Sequence, residues 1–147
     1  MAIVGFGFTK MEVERKKPLS ARINIKNNIA IKDVSEHKFS TADAQMNKDR
    51  KGIKFVFEFV SNYEPGSAMI RLTGELFFIG TKKQGDEILN SWKKDKKVPK
   101  EVMPSVLNYC LSRSNVEAIS LSKDVGLPPP LPMPKVTSEK AENSYIG

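Results

Sequence analysis

Few residues in this chain have a side chain suited to covalent or acid–base chemistry. The 147 residues hold one histidine and one cysteine. His37 stands between Glu36 and Lys38 in a polar stretch, where a single histidine is a bystander rather than a base. Cys110 falls on the apolar stripe of a helical segment, which makes it a small core residue and a poor nucleophile. A lone cysteine also excludes an intramolecular disulfide and a Cys-cluster metal site. Asp33, Glu36, Asp43 and Asp49 are scattered without the spacing of paired carboxylates. The GFG of Gly5–Gly7 lacks the next glycine of a dinucleotide fingerprint and does not join a strand to a helix. There is no P-loop and no H-E-x-x-H. These observations predict no catalytic residue, no metal and no cofactor: a binding protein rather than an enzyme.

Charge is the other chemical resource. The formal net charge is +7. Lys82, Lys83, Lys93, Lys94, Lys96, Lys97 and Lys100 crowd one segment. A basic cluster is most simply a solvated surface. It also allows a second function, in which Lys93, Lys94, Lys96, Lys97 and Lys100 contact the phosphates of RNA or an acidic partner, with Trp92 stacking on a base. Hydrophobic residues make up 39% and charged residues 28%, which suits one globular domain. No apolar run reaches the ~18–20 residues of a membrane span. The start MAIVGFGFTK lacks a basic region and a long apolar region, so no signal peptide is expected. A cytoplasmic protein is the expectation.

Four period-two segments must position any binding surface. In IVGFGFTKMEVERKK, Phe6 and Phe8 share one parity, while Met11 and Val13 take the other. The phase slips near Thr9–Lys10, which predicts a bulge or bend. In RINIKNNIAIKDV, Ile23, Ile25, Ile29 and Ile31 line one face, opposite Arg22, Lys26 and Lys32. Asn27–Asn28 marks either a break in that strand or a tight turn between two short ones. EHKFSTADAQMNKDRKG reads as a loop. GIKFVFEFVSNY places Ile53, Phe55, Phe57 and Phe59 on one face, with Val56 and Val60 on the other. AMIRLTGELFFIG does the same with Ile70, Leu72, Leu76 and Phe78 against Met69, Phe77 and Ile79. The intervening EPGS predicts a type II turn and an antiparallel hairpin. A hairpin apolar on both faces needs two covers, one of them from its own helices and the other from a second subunit or a bound partner.

The period then changes to that of a helix. GDEILNSWKKDKK sets Ile88, Leu89 and Trp92 on one face, with acidic residues first and lysines last, as a helix dipole favours. After Pro99 a longer helix carries the stripe Met103, Leu107, Cys110, Ser114, Ala118, Leu121 and Val125. Pro104 fits only its first turn. Gly126 fits just past its end. Strands followed by helices predict an α+β fold: a four-stranded antiparallel sheet with two C-terminal helices packed on one face.

GLPPPLPMPKV follows, with five prolines among eleven residues. Gly126, Leu127, Pro128, Pro129, Leu131, Pro134 and Val136, preceded by Pro104 and the long helix, resemble the export chaperone SecB. The hairpin GIKFVFEFV…AMIRLTGELFFI is similar to that family's central strand pair, and GFGFTKMEVERKKP to its first strand. The resemblance spans residues 1–136: strands over 1–80, helices over 84–125 and the proline-rich segment over 126–136. A mobile polar tail is expected over 137–147.

The resemblance implies a molecular chaperone for protein folding and transport, a homodimer or homotetramer that holds unfolded polypeptides in apolar grooves. Candidate client-contacting residues are Phe6, Phe8, Val56, Val60, Phe77, Ile79, Leu127, Leu131 and Met133. The proline ribbon would then pack on the protein and help line a groove. A different reading takes PPPLP as a polyproline II ligand for an SH3 or WW domain, although a display segment normally has flexible linkers on both sides. The chain departs from the family in being basic, where SecB offers an acidic sheet surface to its translocation motor.

Overall fold

The computed structural model describes residues 2–19, 22–39 and 49–131. Four long strands carry the alternations: β1 (Ala2–Arg15), β2 (Asn24–His37), β3 (Arg50–Glu64) and β4 (Ala68–Thr81). They form one antiparallel sheet in the order β1-β4-β3-β2. Two helices follow, α1 (Lys82–Asp95) and α2 (Met103–Asp124), and both pack on the same sheet face. The architecture is α+β, as expected.

The central hairpin has the deepest core. Ile53, Phe55, Phe57, Phe59, Tyr63, Ile70, Leu72 and Leu76 are fully enclosed beneath the helices. The alternate residues of β3 and β4 are only half-buried. β1 keeps its large residues on the helix face through two register shifts, between Ile3 and Gly5 and between Phe8 and Lys10. The second is the predicted phase slip. One extra residue at Thr9 lets Phe8 and Met11 face the same way, opposite Gly74 and Leu72.

Four expectations change. Asn27–Asn28 is neither a break nor a turn, because β2 runs through it in continuous register with β3. β2 also extends to His37, two residues into the stretch read as a loop. At the hairpin, the Glu64–Pro65 peptide is cis, and the closing bond runs from Ser67 N to Tyr63 O at 2.9 Å, so the loop is one residue wider than a type II turn. Finally, α1 begins at Lys82 rather than 84. Thr81 caps it reciprocally with Gln84, through Thr81 N to Gln84 Oε1 at 2.9 Å and Gln84 N to Thr81 Oγ1 at 3.1 Å. Gly85 lies inside the helix, where any Cβ would come within 2.6 Å of Lys51. Its absence lets Lys51 pass and pair with Asp86.

In α2 the fully buried line is Val106, Cys110, Ser114, Ala118 and Ser122. Met103, Leu107, Leu121 and Val125 of the predicted stripe are half-buried flanks. Small residues down the centre let the helix come close to the sheet, and larger ones splay to either side. The helix ends in a Schellman motif. Leu127 N donates to Ser122 O at 2.8 Å and Gly126 N to Lys123 O at 3.2 Å, with Gly126 at φ 70°. This turn aims residues 127–131 back across the sheet.

Candidate functional site

Phe6 and Phe8 meet edge to face, with ring centroids 5.2 Å apart. Phe6 also stacks on Phe57 at 5.4 Å and meets Tyr109 of α2 at 5.5 Å. The Arg113 guanidinium lies 5.5 Å from the Phe6 ring and 5.4 Å from the Tyr109 ring, and donates to Tyr109 Oη at 3.2 Å. Phe57 is enclosed, whereas Phe6, Phe8 and Tyr109 are half-buried and Arg113 is exposed. The result is an aromatic rim between β1 and α2. Tyr109 and Arg113, one helical turn apart, were not among the predicted residues. Their spacing was visible in the sequence, but their facing β1 was not.

Residues 126–131 of the proline segment occupy the opposite flank of α2. Tyr63 Oη donates to Pro128 O at 2.6 Å, and Asn27 Nδ2 to Pro130 O at 3.1 Å. Ser61 Oγ donates to Asn27 Oδ1 at 2.6 Å. Asn27 is the one gap in the isoleucine run of β2, and this is its use. Burial without a charged partner pushes the Tyr63 phenol up to about 12. Leu127, 5% exposed, belongs to the core with Phe59, Tyr63, Ile70 and Leu72. Pro130 is buried. These ties leave Gly126–Leu131 no resemblance to a linker-borne ligand for a proline-reading domain. Leu131 is half-buried and lines a cleft of about 350 Å³ with Asn27, Asn28, Ile29, Leu111 and Asn115. Met133 lies outside the described residues.

Val56, Val60, Phe77 and Ile79 are half-buried on the other sheet face, which no described helix covers. The nine candidate residues therefore do not form one surface. Phe6 and Phe8 flank one side of α2, Leu127 and Leu131 the other, and four stand behind the sheet. That rear face is dressed with ion pairs, Lys26–Glu64 at 3.6 Å, Arg71–Glu58 at 3.9 Å and Lys32–Glu58 at 4.0 Å. His37 packs its ring 4.7 Å from Phe77 and 5.0 Å from Phe39.

Lys93, Lys94, Lys96, Lys97 and Lys100 are all exposed where α1 gives way to α2. None makes an ion pair among the described residues. Their backbone is pinned: Val98 and Val102 are each 5% exposed, and Ser91 Oγ donates to Lys97 O at 2.7 Å. Trp92 is buried on the inner side of α1, 9% exposed, with Lys96 Nζ 5.6 Å above its ring. It is therefore not placed to stack on a base. Cys110 is enclosed, and desolvation pushes its thiol up to about 12. Among the described residues, no three His, Cys, Asp or Glu side chains gather as a metal site. No described helix is long and apolar enough to cross a membrane. Asp43, one of the scattered carboxylates, lies outside the described residues.

No protein-family model matches the chain, and no curated protein matches it significantly. Among solved structures it is similar to the SecB-like chaperone Rv1957 of Mycobacterium tuberculosis, solved in complex with a ChAD peptide from the Rv1956 HigA1 antitoxin. The TM-score is 0.55 at 8% identity, over 92% of this chain and 90% of that one. The two share a fold.

Proposed function

We propose that this protein is a SecB-like holdase, a chaperone that binds unfolded polypeptide segments through apolar surfaces rather than transforming them. The observation that carries the reading is the pair of half-buried apolar rims flanking α2, Phe6 with Phe8 on one side and Leu131 on the other. They lie on a fold similar to that of a chaperone solved with a peptide. Leu127 supports the second rim from beneath. An apolar side chain of a client gains on the order of 25 cal/mol for each Å² it buries there, and this gain depends little on salt. Val56, Val60, Phe77 and Ile79 form a second apolar surface, to be covered by another subunit of a homodimer or homotetramer or by a longer client.

The alternative is an RNA- or ribosome-associated protein. The five exposed lysines on a pinned backbone favour it. The burial of Trp92 removes the stacking contact and leaves only phosphate attraction, which fades steeply as salt rises.

The test is suppression of aggregation. A chemically unfolded client is diluted into the protein at near-equal subunit concentration, with light scattering followed at low and high salt. Suppression that persists at high salt is expected. No suppression at either salt sinks the holdase reading and turns attention to the lysines.

A further inference from the structure

Exposed cations gather at the two ends of α2. At its start stand Lys93, Lys94, Lys96, Lys97 and Lys100. Lys93 and Lys94 answer the dipole of α1, in whose last turn they lie. Lys96, Lys97 and Lys100 come after that helix and have no dipole to answer. At the finish of α2 stand Arg15, Lys16 and Lys17, with Lys123 of the last turn. Arg15 Nη1 lies 3.3 Å from where a Cβ on Gly126 would sit. Lys16 N and Lys17 N both donate to Ser67 O, at 2.7 and 3.2 Å, so this pole also rests on fixed backbone. Arg15, Lys16 and Lys17 line a hollow of about 430 Å³ with Pro18 and Leu19. None of these cations makes an ion pair among the described residues. The exposed acids beside them are fewer, Asp95 and Glu101 at one pole and Glu14 and Asp124 at the other.

The ground between the poles is different. Phe6 packs with the core group of Val102 and Val106, near the start of α2, and Val13 with that of Ala118 and Leu127, near its finish. β1 therefore runs alongside α2, and the rim of Phe6, Phe8 and Tyr109 lies between the poles. The 22 residues of α2, at about 1.5 Å each, set the poles about 33 Å apart. From Met103 to Ser122 the helix carries two charges, Arg113 and Glu117. On β1, Lys10 is taken by Glu12 at 3.4 Å. Salt screens charges beyond about 8 Å under physiological conditions, so the poles act as separate sites. RNA has a charge at every nucleotide, and most of those crossing this strip would meet no cation. A polypeptide can place carboxylates at both ends and neutral residues between them.

We infer that the two poles select clients by charge. An extended segment lays one acidic cluster on Lys96, Lys97 and Lys100 and another on Arg15, Lys16 and Lys17. At about 3.3 Å per extended residue, about ten neutral residues join the two clusters across the aromatic rim. The poles decide which clients are met and in what register, and the rim buries what lies between. This rests on the holdase reading and names the class of client.

The experiment uses the full chain and fluorescein-labelled, end-capped peptides. Two triglutamate blocks are separated by about ten residues of Ala, Ser, Thr and Leu, or by about three with the remaining neutral residues moved outside the blocks. A long-spaced peptide with trilysine blocks and an oligouridylate of matched charge complete the set. Binding is followed by fluorescence anisotropy at rising salt, and folding by urea unfolding. The long-spaced acidic peptide is expected to bind more tightly than the short-spaced one by about three- to tenfold, because it alone reaches both poles. Its binding should weaken as salt rises. Lys97→Gln with Lys100→Gln, or Lys16→Gln with Lys17→Gln, should abolish the preference for long spacing at an unchanged urea midpoint. Equal binding of the two spacings by the parent, or of the lysine-ended peptide, with aggregation suppression intact, overturns this inference alone. Tighter binding of the oligouridylate, lost in either variant, gives the cations to RNA and also overturns it. No binding of any peptide, together with no suppression of aggregation, overturns the holdase reading with it.

Discussion

The phenol of Tyr63 donates to the carbonyl of Pro128, 65 residues later in the chain, over 2.6 Å. Proline has no N–H with which to join a ladder, so this segment is tied to the sheet through its carbonyls, which accept from side chains. Tyr63 and Asn27 are the donors, at Pro128 and Pro130. Residues 126–131 of the apolar ribbon are thereby made part of the fold.

Tyr63→Phe should cost about 1 kcal/mol of stability and speed amide exchange at Leu127 and Leu131. It also carries a pH signature. The folded phenol titrates at about 12, above its ordinary value near 10. The folded state therefore stays neutral where the unfolded chain has already ionised. The stabilisation is whole below pH 10 and is lost as pH rises through 12, by an amount on the order of 3 kcal/mol. Urea titrations at steps from pH 8 to 12 should show the parent losing stability faster than Tyr63→Phe above pH 10. Parallel curves would refute the assignment.

Cys110 should behave as a buried thiol. Its titration is pushed up to about 12, and its side chain is fully enclosed. Alkylation by iodoacetamide at pH 8 is expected to be slower than that of the urea-unfolded chain by orders of magnitude, with a rate that follows opening of the fold. Rapid native labelling would show that α2 lifts from the sheet.

Gly74→Ala should be costly despite adding only a methyl group. A Cβ there would sit 2.7 Å from the Phe57 ring and 2.7 Å from the carbonyl oxygen of Gly7. The backbone of β1 cannot yield without moving Phe6 and Phe8, so a loss of about 1–3 kcal/mol is expected. The urea midpoint and near-ultraviolet circular dichroism would check it. A variant as stable as the parent would mean that β1 is less firmly docked.

The two sheet faces should separate by function. Phe6→Ser with Phe8→Ser is expected to lower client capture several-fold at unchanged oligomeric state. Val60→Ser with Phe77→Ser is expected to lower the sedimentation coefficient if that face joins subunits. Each pair is compared at temperatures where unfolding curves show it folded. Loss of capture from the second pair alone would move the client to the rear face.

Much of this architecture was legible in the residues. The alternations placed Phe55, Phe57 and Phe59 on one face and Val56 and Val60 on the other, and the slip at Thr9–Lys10 marked the bulge, because side-chain direction along a strand is a local property. Asn27–Asn28 was misread as a break or a turn, since asparagine favours turns and the partners of Asn27, Ser61 and Pro130, lie 34 and 103 residues away. The use of Gly85 was hidden for the same kind of reason: the side chain it makes room for belongs to Lys51.

The sequence by itself determined the class of fold, the faces of its strands and the scarcity of histidine and cysteine. Those follow from short-range geometry and residue type. The tertiary structure decided the strand order, the line of small residues on which α2 sits, and the division of the candidate residues among three surfaces. Each of these depends on pairs far apart in the chain, whose meeting is set by how whole elements pack and not by any pattern within one of them.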